Sequence, residues 1–123
     1  MKNRVICSQL ELIHISDIEK IDKNLVELKP DKKFLQLILE DKVEYSSQSQ
    51  QTNAGTVLNE TIKAKIRYNN DLPFINIALK YYVLKLYTDA GFFIVGSIDY
   101  PTELTYNENK IYLNLTFNSS KPV

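Results

Sequence analysis

The sequence predicts a mainly β protein, an antiparallel sandwich or barrel-like domain with one short helix. Three observations carry this prediction. Residues 81–97 form two apolar runs around Thr88-Asp89-Ala90-Gly91, a pattern typical of a β-hairpin. Asn59–Tyr68 and Ile111–Phe117 alternate apolar and polar residues with the period of two that a half-buried strand requires. Because a single hairpin is only marginally stable in water, the apolar hairpin must belong to a larger sheet.

The N-terminal part of the chain predicts several short strands. Val5–Ser16 is rich in Val, Ile and Leu and lacks a helical period, which indicates one strand or two. A turn or short helical piece is expected at Asp17–Lys20, and a short strand over Asn24–Lys29 ends at the turn residues Pro30-Asp31. Phe34–Tyr45 is predicted to be a strand, although its pattern also admits a helix. Its apolar residues lie on both faces, which favours a central strand or an interface.

The middle of the chain contains a polar segment followed by the clearest strand. Ser46–Thr56 is almost uncharged and contains a glycine, so we predict a flexible loop or a mobile hairpin tip. In Asn59–Tyr68, the apolar side chains are expected to face one way and the basic side chains the other. The apolar set is Ile62, Ala64, Ile66 and Tyr68, and the basic set is Lys63, Lys65 and Arg67.

The C-terminal part predicts a helix and then four strands. Asp71 as the N-cap, with Pro73 in the first turn, predicts a short helix near residues 71–80. In the hairpin that follows, Gly91 suits a turn that needs positive φ, and Gly96 indicates a bulge or a close backbone approach. Nothing divides the chain, so residues 1–123 are predicted to form a single domain. The four strands are expected at Tyr82–Thr88, Phe92–Ser97, Thr102–Tyr106 and Ile111–Phe117, the last two joined by a turn at residues 107–110.

Composition limits the classes of function. The 15 basic residues balance 15 acidic ones, so no overall field attracts nucleic acid or an anionic membrane. Cys7 is the only cysteine, which excludes an intrachain disulfide, and it is expected to be a small buried hydrophobe. No apolar run approaches the ~18 residues that span a bilayer, and no signal-peptide core follows the first residues, so we expect a soluble protein.

No cluster of residues has the pattern of an active site. His14 is the only histidine, and a hydrolase triad with Ser8 and Asp17 would need a sharp, glycine-rich nucleophile turn that is missing. We expect a strand histidine with one polar partner. The acidic segment Glu40–Glu44 is interpreted as a turn at a strand end rather than as a pair of glycosidase carboxylates. The sequence therefore predicts a protein that is not an enzyme, with no catalytic, cofactor-binding or metal-binding residues.

The basic side chains of the middle strand admit three interpretations. Lys63, Lys65 and Arg67 repel one another unless they are solvated or matched by a partner. They form a solvated face, a surface that docks on acidic protein, or the lining of a passage for nucleic acid. A nucleic-acid binder usually adds aromatic residues and a basic excess, and neither is present.

Tyrosine is concentrated towards the C-terminus. Its preference for strands accounts for part of this distribution. Tyrosine is also enriched at protein interfaces, so we expect an interface with other copies or with a partner. The tyrosines in or beside the C-terminal strands are Tyr81, Tyr82, Tyr87, Tyr100, Tyr106 and Tyr112.

Residues 82–101, YVLKLYTDAGFFIVGSIDYP, resemble a pattern in small proteins encoded by phages and prophages of Bacteroidetes bacteria. Those proteins have a strand, an Asp-x-x-Gly-type turn, a strand that ends in Val-Gly-Ser, and then a stretch that contains proline. Leu113–Val123 is also similar, and residues 34–68 match more loosely. Where the family often has Trp, this chain has Phe92-Phe93. The matching residues are Asp89, Gly91, Val95-Gly96-Ser97 and Pro101.

The resemblance implies a virion structural protein, an oligomeric ring or adaptor subunit of the tail, neck or baseplate, assembled in the cytoplasm of the host bacterium. Its partners would be other copies of itself and neighbouring virion proteins, joined by edge strands and by the polar hairpin at residues 46–56. No membrane contact is expected, and nucleic acid would be touched only if the basic face lines a lumen. The alternative function is a small soluble protein-binding module, such as an inhibitor or an immunity-like protein.

Overall fold

The computed structural model describes residues 2–67, 80–108 and 111–123, and it confirms a mainly β, antiparallel fold. The predicted helix near residues 71–80 falls on residues outside this description, apart from Lys80, which is irregular. The turn or helical piece expected at Asp17–Lys20 lies earlier in the chain: a 3-10 turn covers Ile15–Asp17, and a strand already begins at Ile18. The strands are β1 (Lys2–Cys7), β2 (Gln9–His14), β3 (Ile18–Asp22), β4 (Leu25–Leu28), β5 (Leu35–Gln36), β6 (Val43–Thr52), β7 (Gly55–Arg67), β8 (Tyr81–Thr88), β9 (Gly91–Val95), β10 (Thr102–Glu108) and β11 (Tyr112–Pro122).

The main sheet curls back on itself. Its strand order is β1-β6-β7-β11-β10-β8-β2-β5, with β9 paired to β8. Because Ser8 alone separates β1, the first strand in this order, from β2, the last but one, the chain brings the two sides of the sheet together as a barrel-like sandwich. One layer holds β1, β6, β7, β11 and β10, and the other holds β8, β9, β2 and β5. Strand β10 links the layers, since its first two residues pair with the start of β8.

The main core lies between the two layers. Alternation places Ile62, Ala64 and Ile66 of β7 inside, as predicted, and their neighbours on β11 are also buried. The opposite layer contributes leucines from β2 and β8. Cys7 is fully buried, which confirms its expected role as a small hydrophobe, and burial raises the pKa of its thiol. The two strand patterns that were clearest in the sequence therefore build the centre of the fold.

A second, smaller core covers the outer face of the second layer. Ile13 and Val83 point away from the main core, and the β3–β4 hairpin packs on them through Ile18. This hairpin forms a two-stranded sheet of its own. Strand β2 is thus buried on both faces at its end, which explains why the sequence from residue 5 to 16 shows no clean alternation.

The β8–β9 hairpin forms as predicted, with a turn at residues 89 and 90. Gly91 has φ of +133°, as its turn requires. Gly96 has φ of +91°, and a Cβ there would lie 3.2 Å from the backbone N of Thr102 and 3.3 Å from the carbonyl O of Tyr82. The predicted close backbone approach is confirmed, and it lies where the chain leaves β9 for β10.

The polar segment Ser46–Thr56 forms the end of a hairpin, one of its two predicted forms, and the alternative of a loop is wrong. It is paired almost throughout, because β6 runs to Thr52 and β7 starts at Gly55, which leaves residues 53 and 54 as the turn. The register also continues into β11, where Pro122 pairs with Val57. Neighbouring strands supply hydrogen bonds along the whole hairpin, so a polar sequence without apolar alternation still forms strand.

The strand predicted at Phe34–Tyr45 is largely wrong. Only Leu35–Gln36 pairs as a strand with β2, and β6 starts at Val43. Between them the chain crosses the end of the sandwich, where Leu37 is buried and Ile38 is 90% exposed. Leu39 makes one bridge to Ile66. The apolar residues on both faces therefore reflect a crossing segment rather than a central strand.

Candidate interaction surface

The residues of the hypothetical triad do not assemble. The Nδ1 atom of His14 accepts a hydrogen bond from the backbone N of Ser16 at 3.1 Å and lies 2.7 Å from the Ser16 Oγ. Ser8 lies at the other end of β2, where its Oγ donates to the carbonyl of Tyr87 at 3.4 Å. Asp17 forms an ion pair of 3.8 Å with Lys32 instead. The prediction of a strand histidine with a polar partner is confirmed.

The acidic residues of the crossing segment bind basic groups and backbone of the same chain. Glu40 lies 3.1 Å from Nε of Arg67, and Glu44 lies 3.3 Å from Nε of Arg4. The Asp41 carboxylate accepts a hydrogen bond of 2.7 Å from the next backbone N–H. In the parts of the chain that are described, no group of three or more His, Cys, Asp or Glu side chains could hold a metal ion. This segment is the acidic turn that the sequence predicted.

The basic side chains of β7 lie on the outer face of the first layer, opposite the core, as predicted. Their surroundings differ. Arg67 is held by Glu40, and the Nζ of Lys65 lies 4.8 Å from the ring centre of Tyr112. Lys63 is exposed and forms no ion pair or ring contact with any described residue. Sequence alternation identified this face, but its three basic groups are not equivalent: Arg67 is paired with a carboxylate, Lys65 contacts a ring, and Lys63 has neither kind of contact among the described residues.

An open depression of about 470 Å³ lies beside these lysines. Lys42, Lys63 and Lys65 contribute ammonium groups, and none of the three forms an ion pair within the described chain. Of the two carboxylates at the depression, Glu44 is paired with Arg4, whereas Asp41 accepts only a backbone hydrogen bond and keeps its charge, so among the described residues three lysines face one unpaired carboxylate. The uncommitted charge is therefore positive, and the depression suits an anionic group. Amide and hydroxyl groups of Asn107, Asn114 and Thr116 complete its lining.

Strands β6, β7 and β11 extend past the rest of the first layer as a three-stranded arm. Strand β1 pairs with β6 only as far as Gln48, so no described strand covers the outer edge of Ser49–Thr52. This edge, Ser-Gln-Gln-Thr, has no charge and no proline. We call Ser49–Thr52 the arm edge. Its backbone N–H and C=O groups are placed to pair with another strand.

A buried carboxylate lies at the base of the arm. Glu60 is only 5% exposed, and its Oε2 accepts a hydrogen bond of 2.6 Å from the hydroxyl of Tyr45. Its Oε1 has no hydrogen-bond partner and lies 3.7 Å from the Nζ of Lys121. Burial, and then the bond to Glu60, raises the pKa of Tyr45 to about 12. Sequence reasoning missed this cluster, although Glu60 is in phase with the apolar face of β7.

The segment between β9 and β10 forms a small projection. The backbone N of Ser97 donates to the carbonyl of Tyr100 at 3.1 Å, and the backbone N of Tyr100 donates to the Ser97 Oγ at 3.0 Å. Ser119 donates to the same carbonyl at 3.4 Å and ties the turn to β11. Ile98 and Tyr100 are 42% and 44% exposed, and Asp99 between them is exposed without a described partner. We call Ile98–Tyr100 the knob.

The C-terminal tyrosines do not form one surface patch. Tyr82 is buried in the main core, and Tyr106 packs against it. Tyr112 lies under Lys65, as described above. Tyr81 and Tyr100 are more than a third exposed. Sheet packing therefore accounts for much of the tyrosine content, and Tyr100 of the knob is the tyrosine best placed for contact.

Three aromatic rings surround a lysine on the outer face of the second layer. The Nζ of Lys85 lies 4.3 Å from the ring centre of Phe92, 5.5 Å from that of Tyr87 and 5.7 Å from that of Phe34. The hydroxyl of Tyr87 donates to Glu11 at 2.8 Å. The cation is supplied by the chain itself, so this cluster holds together β8, β9 and Phe34, the residue before β5.

Among the described residues, no helix is long and apolar enough to cross a membrane. Comparison with family models, with curated proteins and with solved structures finds no match to this chain. The conclusions about function are therefore drawn from three surfaces of the chain: the arm edge, the lysine depression and the knob.

Proposed function

We propose that this chain is a structural subunit of an oligomeric assembly, a ring or adaptor subunit in the tail, neck or baseplate of a phage particle. The arm edge is the observation that carries this proposal. Folded proteins normally protect an exposed strand edge with lysine, proline, a bulge or a covering segment, since an open edge recruits other strands. Ser49–Thr52 has none of these in the described structure.

Other strand ends of the chain differ from the arm edge. Strand β11 ends in Lys121-Pro122, and β1, at the end of the main sheet, contains Lys2 and Arg4. Charge and proline at these positions disfavour strand addition. At the arm edge, backbone hydrogen bonds to a partner strand supply affinity, and the polar side chains leave the edge soluble before assembly.

The resemblance of residues 82–101 supports the finer proposal of a virion protein. These residues form β8, β9, the knob and the entry to β10, so the similarity covers the hairpin and the projection that leaves it. The matched positions Gly91 and Gly96 both have positive φ, a backbone conformation that favours glycine, so the backbone itself accounts for the two glycines of the shared pattern.

Light scattering coupled to size-exclusion chromatography tests the assembly role. We expect the purified chain to form species whose mass is a multiple of 14.3 kDa and grows with concentration. Gln50→Lys combined with Gln51→Lys should reduce assembly, because charge on an edge strand blocks pairing. Asn24→Lys combined with Leu25→Lys is the matched control: it also adds two positive charges, at exposed positions of the β3–β4 hairpin.

The control variant should assemble as the original chain does. A chain that stays at 14.3 kDa at every concentration, and that is absent from purified particles, would contradict the proposal. If the edge variant assembles as well as the original chain does, strand pairing at the arm edge is not the contact that joins the copies.

A further inference from the structure

We propose that the lysine depression of one copy receives the knob of a second copy, with the Asp99 carboxylate between the ammonium groups of Lys63 and Lys65. This inference rests on the proposed function, because it names a contact by which copies join. It concerns a different surface from the arm edge, so each can be tested alone.

The depression has the chemistry of an acceptor for one carboxylate. Lys63 and Lys65 lie on the same face of β7 two positions apart, which separates them by ~6.6 Å along the strand. A carboxylate between them relieves the repulsion of the two ammonium groups. Lys65 is already placed over the ring of Tyr112, so less side-chain freedom is lost when an anion binds.

The knob has the chemistry of the matching donor. Asp99 has no described ion-pair or hydrogen-bond partner, and it is flanked by an exposed isoleucine and an exposed tyrosine. Tyrosine is enriched at interfaces, whereas an aspartate there needs a partner of opposite charge, which Lys63 and Lys65 would supply. The two hydrogen bonds between Ser97 and Tyr100 hold the turn before contact, which lowers the entropic cost of binding.

The acidic rim of the depression argues against nucleic acid as the occupant. Asp41 lines the same depression with its charge unpaired among the described residues and would repel a run of phosphates, whereas a single aspartate can be placed away from it. The chain as a whole has a formal net charge of zero, so it provides no additional field for a polyanion.

Within one copy the two surfaces lie apart. The knob is tied to β11 at Ser119, whereas the depression is lined by Asn114 and Thr116 of the same strand and by Lys63 and Lys65 on its far side. Asp99 forms no ion pair with either lysine of its own copy. A contact between knob and depression therefore joins two copies; it is made twice in a two-fold dimer, and in a head-to-tail arrangement it closes into a ring or continues as a filament.

Charge reversal with complementation tests the contact. Asp99→Lys alone, and Lys63→Glu with Lys65→Glu, should each weaken self-association by at least about tenfold in sedimentation velocity, as expected for close charge pairs at an interface. Mixing the two variants should restore association, now between unlike copies. Asp89→Lys is the matched control, because Asp89 is also exposed and unpaired among the described residues, at the β8–β9 turn. It should associate as the original chain does.

The outcomes separate this inference from the proposed function. If Asp99→Lys associates like the original chain, or if the mixture stays dissociated while both variants keep the original circular dichroism spectrum, the knob contact is refuted and the assembly role stands. If the lysine variant assembles normally but loses affinity for a single-stranded oligonucleotide, the depression binds nucleic acid and the inference is overturned. A monomeric original chain overturns both proposals.

Discussion

Tyr45→Phe is expected to destabilise the fold by about 2 kcal/mol, because hydrogen bonds to charged groups contribute roughly 1.5–3 kcal/mol. The lost bond is the 2.6 Å contact to Oε2 of Glu60, a residue that is 5% exposed. Without it, the buried carboxylate keeps only the 3.7 Å contact of its Oε1 with Lys121. Urea denaturation followed by circular dichroism measures the loss, and the melting temperature should fall by about 8 °C for a domain of this size.

Two variants isolate the hydrogen bond. Tyr106→Phe removes a hydroxyl from another half-buried tyrosine against the same core, one without a hydrogen bond in the described structure, and should change stability by less than about 0.5 kcal/mol. In a Glu60→Ala background, Tyr45→Phe should cost equally little, because the acceptor is gone. A loss below about 0.5 kcal/mol for Tyr45→Phe in the original chain, or an equal loss for Tyr106→Phe, would refute the reasoning.

The same bond predicts a pH dependence. The pKa of Tyr45 is raised to about 12, first by burial and then by the hydrogen bond to Glu60, whereas an unfolded tyrosine titrates near ~10. Below about pH 10 the stabilisation is complete. From there to about pH 12 the unfolded chain releases the proton more readily, so the stabilisation is lost. The difference in unfolding free energy between the original chain and Tyr45→Phe should shrink over this range, and a constant difference would contradict the assignment.

Two further predictions concern the second layer. Gly96→Ala should destabilise the fold by about 2 kcal/mol, because the φ of Gly96 is +91° and the new Cβ would lie 3.2 Å from the backbone N of Thr102. Gly55→Ala is the control: its φ is +118° but the space around it is open, so it should cost less in the same denaturation assay. Equal losses of stability would exclude the close approach at Gly96 as the cause. In a double-mutant cycle, Phe92→Leu and Lys85→Met should show a coupling energy of about 0.5–1 kcal/mol, because the Lys85 ammonium lies 4.3 Å from the ring centre of Phe92. Strictly additive losses of stability would show that this contact does not stabilise the fold.

The sequence predicted those parts of the fold in which local pattern and tertiary environment agree. The β8–β9 hairpin has its turn glycine and two apolar runs, and β7 and β11 each bury one face along most of their length. For these strands the alternation in the sequence directly reflects which side chains are inside. The expected strand at Asn24–Lys29 also forms, as Leu25–Leu28.

The polar hairpin could not be predicted in the same way. Ser46–Thr56 has no apolar face because the arm extends beyond the core, so its strand pairing depends on hydrogen bonds from β7 and β11 that are distant in sequence. At Phe34–Tyr45 the error is the opposite one: a strand was predicted from the apolar residues, but most of these residues lie in a segment that crosses between the layers. In both segments tertiary surroundings override local preference.

The candidate surfaces were only partly visible in the sequence. Alternation located Lys63 and Lys65 on an outer face, but it could not show that Glu44 is paired with Arg4 and leaves Asp41 as the one unpaired carboxylate beside the lysines in the described chain. The knob is a short turn with no motif of its own, and its importance comes from exposure and from the absence of a described partner for Asp99. Such features depend on which groups meet in space.

Quantitative mass spectrometry of purified phage particles tests the central claim most directly. The chain should be present in particles at a fixed ratio to the major tail or neck subunits, and that ratio should survive washing in high salt, since strand pairing and buried contacts are screened less than surface charge. A chain that is abundant in the lysate of the same cells but missing from intact particles would contradict the claim that it is a structural subunit.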